Sequence, residues 1–533
     1  MDVNASEAEA RAGRREWIGL AVLTLPTLLL SLDLNVLYLA LPHLSADLAP
    51  DAAQTLWIMD IYGFMIAGFL VTMGTLGDRI GRRRLLMIGA AAFGVASVIA
   101  AYSTSAEMLI ATRALLGVAG ATLMPSTLSL ISNMFRNAQQ RTMAIGLWMS
   151  CFMIGAIIGP LIGGLILESF WWGAVFLLGV PVMIVLLVAA PLLLPEYRNP
   201  DAGRLDLFSV VLSLATILPF VYGLKELAKD GLGVRPVLAM VAGVVMGVIF
   251  VARQRRLTSP LLDMRLFSNR TFSAALGIML LGGSTIGGIV LLFTQYAQLV
   301  EGLSPLRAGL WMLPYAVSML VGSMLAPMLA QRFSPGYVVA GGMAIAAVGF
   351  ALLSQVGPTG GLGLAVTGLV IVYLGFGPGA VLGTDLIIGA APPERAGSAS
   401  SMSETSTELG VAFGVAVLGS IGTAVYRSEI TPALPADLSA EVRETAGESL
   451  AGASAVTGQL SEQAGGALLE AARAAFTTGF NMAGTVSAVL AVILAVLSAL
   501  LLRRVRPAAE EPVVDASAVP ADGTDEAPAS ARH

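Results

Sequence analysis

Five ionisable side chains set in apolar stretches carry the chemistry of this sequence: Asp33, Asp60, Arg113, Glu404 and Glu408. A charge inside a membrane-like segment is expensive, so such residues face a cavity or a partner and mark ion and substrate paths. Glu404 and Glu408 stand four positions apart, which puts them on one face of a helix, with Ser401 as a polar neighbour. Two close carboxyls in a low dielectric cannot both ionise cheaply, so a proton and a cation can compete for that face. A helix end capped in solvent is the alternative for this pair. Asp33, with Asn35 beside it, is placed at a cavity wall, or else makes a structural hydrogen bond. Asp60 and Asp385 are weaker candidates, being nearer the ends of their apolar runs. Arg113 either faces the cavity or is a snorkelling or structurally paired arginine.

Lipophilic cations favour aromatic faces, and Trp57, Trp148, Phe152, Trp311, Tyr315 and Tyr373 are candidate wall residues. Trp57 is the best placed, one turn before Asp60, although most apolar helices carry aromatics for packing. The 23 methionines would suit an adaptable pocket. Other chemistries find no support. Histidine occurs only at His43 and His533, so no metal site or histidine-based catalytic cluster is expected. No Gly-x-x-x-x-Gly-Lys-Ser/Thr loop is present, so ATP is not expected to supply the energy. Gly375-x-Gly377-Pro378-Gly379 falls inside an apolar run and reads as a closely packed or flexible helix. No cofactor is expected.

Composition shows what kind of helices carry these side chains. Of 533 residues, 56% are hydrophobic and 12% charged, about half the charge of a soluble domain. A spanning helix needs roughly 20 apolar residues, and the chain accommodates fourteen: near 17–41, 54–75, 84–103, 107–131, 141–165 and 172–195, then 205–224, 234–252, 271–294, 305–329, 336–355, 361–385, 398–424 and 477–502. The expected fold is therefore all-α and integral to the lipid bilayer. The first run is too long for a signal peptide, so it is expected to remain as a span.

Basic residues fix the orientation. Alternate connections hold 21 of the 30 Lys and Arg, from Arg11, Arg14 and Arg15 to Arg503, Arg504 and Arg506, and the opposite connections hold seven, including Lys225 and Lys229. By the positive-inside rule both termini are cytoplasmic. The net charge of −5 and the scattering of basic residues imply no nucleic-acid partner. A single cysteine, Cys151, excludes an intrachain disulfide.

The chain divides into a cytoplasmic segment 1–16, a six-helix half 17–195, an inserted pair 205–252 and a second six-helix half 271–502. An external loop 425–476 within that second half suits one or two amphipathic helices, and residues 507–533 read as a disordered cytoplasmic tail. A faint repeat supports two halves: Leu76-Gly77-Asp78-Arg79-Ile80-Gly81 after the second span and Leu329-Ala330-Gln331-Arg332-Phe333-Ser334 after the tenth. Repeated halves with a site at their interface are a common transporter plan.

Gly74-x-Leu76-Gly77-Asp78-Arg79-x-Gly81-Arg82-Arg83-Arg84 lies in a short basic connection. Its glycines permit a tight turn and close helix approach, and Asp78 can pair with arginines or a helix N-terminus at a moving interface. The segment resembles the loop signature of the major facilitator superfamily. Leu32-Asp33-x-x-Val36 through Ala40-Leu41-Pro42 resembles the first-span signature of the fourteen-span drug:proton antiporters. Leu109-x-x-x-Arg113-x-x-x-Gly117-x-x-Gly120 resembles their fourth-span motif, and Gly155-x-x-x-Gly159-Pro160-x-x-Gly163-Gly164 their fifth-span antiporter motif. Trp172-Gly173-Ala174-Val175-Phe176 to Pro181 fits the same branch. In the fifth span, small residues at four-residue spacing let helices approach and Pro160 bends the helix, though ordinary packing accounts for the same pattern.

The resemblance covers residues 17–503 and implies a major facilitator fold of 6 + 2 + 6 helices, with proton coupling at Arg113. It further implies proton-coupled export of lipophilic cations such as quaternary ammonium compounds and dyes, with no enzymatic activity, from a bacterial inner membrane and as a monomer. Span ten carries no acid, which puts in doubt a second anionic site of the kind that favours long dications. Export of a host-made antibiotic, or translocation of a lipid or cell-envelope precursor, are the alternatives on the same fold.

Overall fold

A computed structural model of the chain describes residues 12–198, 206–230, 233–257, 260, 264–391, 396–434 and 439–502. Residues 1–11 and the tail 507–533 lie outside the described residues, as do the side chains of Asn35 and Ser401. Fourteen described helices are long and apolar enough to cross a membrane, the number expected from hydropathy. The first seven are α1 (Arg14–Leu48), α2 (Ala52–Ile80), α3 (Arg82–Ala101), α4 (Ala106–Met134), α5 (Ala138–Ser169), α6 (Ala174–Leu193, interrupted at Leu178) and α7 (Leu207–Asp230). They are followed by α8 (Val234–Gln254), α9 (Arg270–Gln295, prolonged by a π turn over Tyr296–Val300), α10 (Pro305–Ala330), α11 (Pro335–Leu353), α12 (Leu362–Gly389) and α13 (Ala396–Ile430). Two short helices, α14 (Ala440–Glu448) and α15 (Leu450–Val456), precede the last span, α16 (Glu462–Leu501).

Local chemistry sets the helix starts. The side chains of Asp51, Ser105, Asn137, Asn269 and Ser304 accept hydrogen bonds from backbone N–H groups in the first turns of α2, α4, α5, α9 and α10, which satisfies donors no helix can pair internally. Pro305 at the first position of α10 has its φ already set for a helix.

Several spans run longer than hydropathy alone suggests. Polar residues at their ends continue the helix because only the central part must be apolar. As a result the motif from Gly74 to Ile80 is helical, as part of α2, and not a loop; the turn is reduced to Gly81, whose φ of 113° is unfavourable for any residue with a Cβ. Likewise α13 reaches Ile430 and α16 begins at Glu462, so the external loop expected over 425–476 shrinks to the segment carrying α14 and α15. The Tyr426 hydroxyl donates to the Ala446 carbonyl at 2.8 Å and ties that hairpin to α13, and α15 packs on α1 and α16.

Within the bundle α1 packs on α5 and α6, α2 on α4, and α3 on α4 and α6; α9 packs on α13, α10 on α12, and α11 on α12 and α16. The two groups meet where α5 faces α10 and α2 faces α13. Their close contacts lie toward one end of the bundle. A Cβ on Gly164 would come within 2.5 Å of Leu306 Cα, Gly309 abuts Pro160, the Ser304 hydroxyl donates to Glu168 at 2.7 Å, and Leu56 reaches Gly419. At the opposite end, a Cβ on Gly74, Gly146 or Gly277 would meet nothing within 4 Å. The two groups are thus pinched together at one end and looser at the other. Helix α7 wedges against both α2 and α13, and α8 packs on α7 with Leu238, Val241, Val245 and Val248 exposed along its outer side.

Candidate functional site

The charged layer is assembled by close helix approach. Gly117 has no room for a side chain, since a Cβ there would come within 2.6 Å of the Tyr62 carbonyl. This contact brings α4 against α2, and Arg113, one turn earlier, is carried into the interior at 1% exposure. Its Nη1 donates to the Asp33 carboxylate on α1 at 2.8 Å, its Nε donates to the Ile58 carbonyl at 3.3 Å, and its guanidinium lies 4.5 Å from the centre of the Tyr62 ring. Of the two alternatives for Arg113, the arrangement is a pairing with Asp33 and not a snorkelling chain. Asp33 and Arg113 therefore form one unit.

Asp60 forms the second unit. It is 1% exposed, where its place in the sequence marked it as the weaker acid near a span end. Its partner is Lys225, also 1% exposed, with Nζ at 2.8 Å and 3.0 Å from the two carboxylate oxygens. The same Nζ lies 3.7 Å above the Trp57 ring. Lys225 does not belong to an external connection, where the charge pattern put it; it sits on α7, which continues past residue 224 to Asp230. The hydrophobic face of α7 seats it there, with Val221 packed among Phe64, Ala412 and Ala416 one turn before. Val221 and Lys225 share a helix face by their spacing, and that was the signal in the sequence. It was masked because a lysine near a span end satisfies the charge rule for loops equally well.

Glu404 and Glu408 lie within α13 and are half-buried, so neither caps a solvated helix end. Among the described residues neither has an ion-pair partner. Glu408 lines a small cavity together with Tyr38, Met59, Asp60, Gly63 and Arg113, so α1, α2, α4 and α13 all present polar groups to one space. Glu404, one turn away on the same helix, is close enough to Glu408 to interact electrostatically. Tyr38 was absent from the sequence-based candidates, because a tyrosine in an apolar run has no distinguishing pattern. It lies within electrostatic reach of Arg113, Glu408 and Asp60.

The aromatic candidates divide. The Tyr315 and Tyr373 rings lie 4.5 Å apart between centroids, tilted by 35°, and within electrostatic reach of Tyr38, so they adjoin the charged layer. Trp57 belongs to the Asp60 unit. Trp148 is buried and donates to the Thr127 hydroxyl at 3.2 Å, which packs α5 on α4. Phe152 is half-buried. Trp311, on α10, is 43% exposed. Asp385 is exposed and joins neither unit.

At the looser end, Asp78 accepts from Arg82 at 2.7 Å, one turn on, and Arg82 also donates to the Pro125 carbonyl at 3.4 Å. Gly77 makes room for the Arg82 side chain, with only 3.0 Å from an added Cβ to Arg82 Cδ. Gly74, in contrast to the close approach expected of it, faces open space, and Arg79 is exposed. The Glu196 carboxylate sits against Gly81 and accepts from the Arg83 backbone N–H at 3.1 Å. In α5, a Cβ on Gly155 would come within 2.6 Å of the Leu28 carbonyl and one on Gly163 within 2.7 Å of Val36, so both bring α5 onto α1. Gly159 and Pro160 are buried, and Pro160 with Gly164 forms the contact to α10. Among the described residues no group of three or more His, Cys, Asp or Glu could hold a metal ion.

Comparison with known proteins agrees with this architecture. The sequence matches the Major Facilitator Superfamily over residues 23–415. It is 42% identical over 502 residues to the multidrug efflux pump LfrA of Mycolicibacterium smegmatis, covering 94% of this chain and 99% of that protein. It is 35% identical to the methyl viologen resistance protein SmvA of Salmonella typhimurium, over 88% and 94% of the two chains. It is 32% identical to a tetracenomycin C resistance and export protein of Streptomyces glaucescens, over 92% and 93%. In fold it is similar to a bacterial homologue of the lysosomal transporter Spinster in an inward-facing conformation, with a TM-score of 0.64 at 17% identity, over 92% and 98%. The chain is a multi-span membrane transporter and belongs to the major facilitator superfamily.

Proposed function

We propose that this transporter is a drug exporter that exchanges protons for lipophilic cations such as quaternary ammonium compounds and dyes. The observation that carries this reading is the Glu404–Glu408 face of α13. It offers two carboxyls without a fixed cation, one of them on the same cavity as Asp60 and Arg113. Carboxyls within a span that lack a partner hold a proton or a cation, and exchange follows when each displaces the other. The adjoining Tyr315–Tyr373 ring pair supplies aromatic faces for an organic cation. Similarity to the efflux pump LfrA and the methyl viologen resistance protein supports drug export as the direction and cationic compounds as the class.

The positive-inside rule places Gly81 and the arginines beside it in the cytoplasm. On that orientation the pinched end is external, and the looser end admits substrate from inside. Asp78 and Arg82 would then act at the internal gate, with Gly155, Gly159, Pro160, Gly163 and Gly164 at the interface of α5 with its neighbours. The protein is expected to act as a monomer, each chain holding its own pathway.

Export of an antibiotic is a second reading, favoured by the 32% identity to a tetracenomycin C exporter. Proteoliposomes with an acid lumen separate the two. Ethidium accumulating in the lumen only while the gradient lasts is expected here; accumulation of an aromatic polyketide but not of ethidium would favour the second.

A further inference from the structure

We propose that Lys225 is a tethered competitor: its ammonium occupies a cation subsite built from the Asp60 carboxylate and the Trp57 ring, and an exported monocation takes that place by displacing it. The inference rests on the export function proposed above.

The niche has the chemistry of organic-cation recognition. A carboxylate lies at 2.8 Å and an aromatic face at 3.7 Å from one positive nitrogen, and a desolvated cation–π contact adds to what the carboxylate supplies. Both charged residues are 1% exposed. Taking an ammonium and a carboxylate out of water is costly for each ion, and well-packed hydrophobic residues commonly serve stability as well. A pair held only for stability is therefore an expensive device at this depth.

The lysine is also mounted so that it can leave. Helix α7 is held to α8 at both ends, by the Asp206–Arg253 pair at 2.9 Å and the Gln254–Ser209 hydrogen bond at 2.7 Å at its start and by the close approach of Gly223 to the Pro236 carbonyl near its end, so the freedom to leave lies in the lysine side chain and not in the helix. Its four-carbon stem is flexible. The other charges about the niche favour exchange: Asp33 and Arg113 neutralise each other, and Glu408, on the same cavity as Asp60, offers no fixed cation of its own. Removal of the lysine would leave Asp60 without its cation, on a cavity whose other acid, Glu408, has none either. Helices α7 and α8, an addition to the two six-helix groups, acquire a part in substrate handling.

The test is ethidium binding to the full chain in lipid nanodiscs, with a double-mutant cycle. Lys225→Met is expected to bind ethidium about tenfold more tightly than the wild type, the scale of a desolvated cation–π contact or more. The double variant Asp60→Asn, Lys225→Met is expected to lose that gain. Lys225→Met binding no tighter than wild type, or a gain that survives in the double variant, would overturn the proposal and leave a structural ion pair. If Lys225→Met does not accumulate in the membrane, Trp57→Leu tests the same niche with the ion pair intact. It should weaken ethidium binding at least fivefold and leave a neutral apolar probe such as N-phenylnaphthylamine unaffected; unchanged ethidium affinity overturns the proposal. A wild type that binds no ethidium contradicts the export function itself, whereas wild-type binding that Lys225→Met fails to improve contradicts only the role of Lys225.

Discussion

Asp33 and Arg113, eighty positions apart in the chain, meet at 2.8 Å between α1 and α4. The contact closes a buried charge pair within a framework of small residues and joins the two elements that carry the first-span and fourth-span motifs. Removing one partner strands the other in the interior, which costs about 3–5 kcal/mol. Arg113→Ala is therefore expected to lower the thermal stability of the detergent-solubilised protein and to abolish gradient-driven transport. Asp33→Asn, Arg113→Gln should recover stability but not transport. If the double variant also transports, the pair is structural alone.

Asp78 presents the opposite balance. Its ion pair with Arg82 is within one helical turn and the Asp78 side chain is 30% exposed, so it contributes at most about 1 kcal/mol to stability. Asp78→Asn is expected to insert and melt as the wild type does while dye efflux falls severalfold, because the pair would act on the gate and not on the fold. Wild-type efflux in that variant would refute the gate assignment.

The hairpin formed by α14 and α15 contacts α1, α13 and α16 near the pinched end and supplies none of the charged residues of the site. Replacing residues 439–461 by a short Gly-Ser linker is expected to reduce export but not to eliminate it. A protein that inserts and binds ethidium yet exports nothing would make the hairpin part of the gate.

Competition between proton and cation fixes the sign of the pH dependence. Lowering the pH favours the proton, so ethidium affinity should fall from about pH 8 to about pH 5, across the carboxyl and histidine ranges. Glu408→Gln and Glu404→Gln are each expected to flatten that dependence in proportion to the share of the exchanged proton they carry. An unchanged slope in both would move the exchange site elsewhere, with Asp33 and Asp60 the next to test. Dications should lose more affinity than monocations in either variant, because they need more than one carboxylate.

Most of the architecture is legible in the sequence. The number of spans follows from the length of apolar runs and is reinforced by the regular alternation of arginines, since one misplaced span would scramble every later connection. The glutamates of α13 were legible because two acids one helical turn apart inside an apolar run must turn the same face toward a polar space. Lys225 was not: its neighbours on α7 point to a buried face, but a lysine near a helix end fits a loop equally well, and nothing local reveals that Asp60 lies 165 positions away in sequence and 2.8 Å away in space. Glycine spacing in α4 and α5 announced close approach without saying to what; Tyr62, Leu28, Val36 and Leu306 became its partners only through tertiary packing. The helical continuation of α2 through Asp78 was hidden because glycine and charge together read as a loop.

Proton movement driven by substrate reports the exchange at α13 itself. With pyranine trapped in the acid lumen of proteoliposomes, addition of ethidium outside should alkalinise the lumen as protons leave in exchange for the entering dye. The wild type is expected to show this flux, Glu404→Gln, Glu408→Gln together to abolish it, and a protonophore to remove it. Ethidium transport without any lumenal pH change, or a flux that persists in the double variant, would contradict proton exchange at the α13 carboxyls.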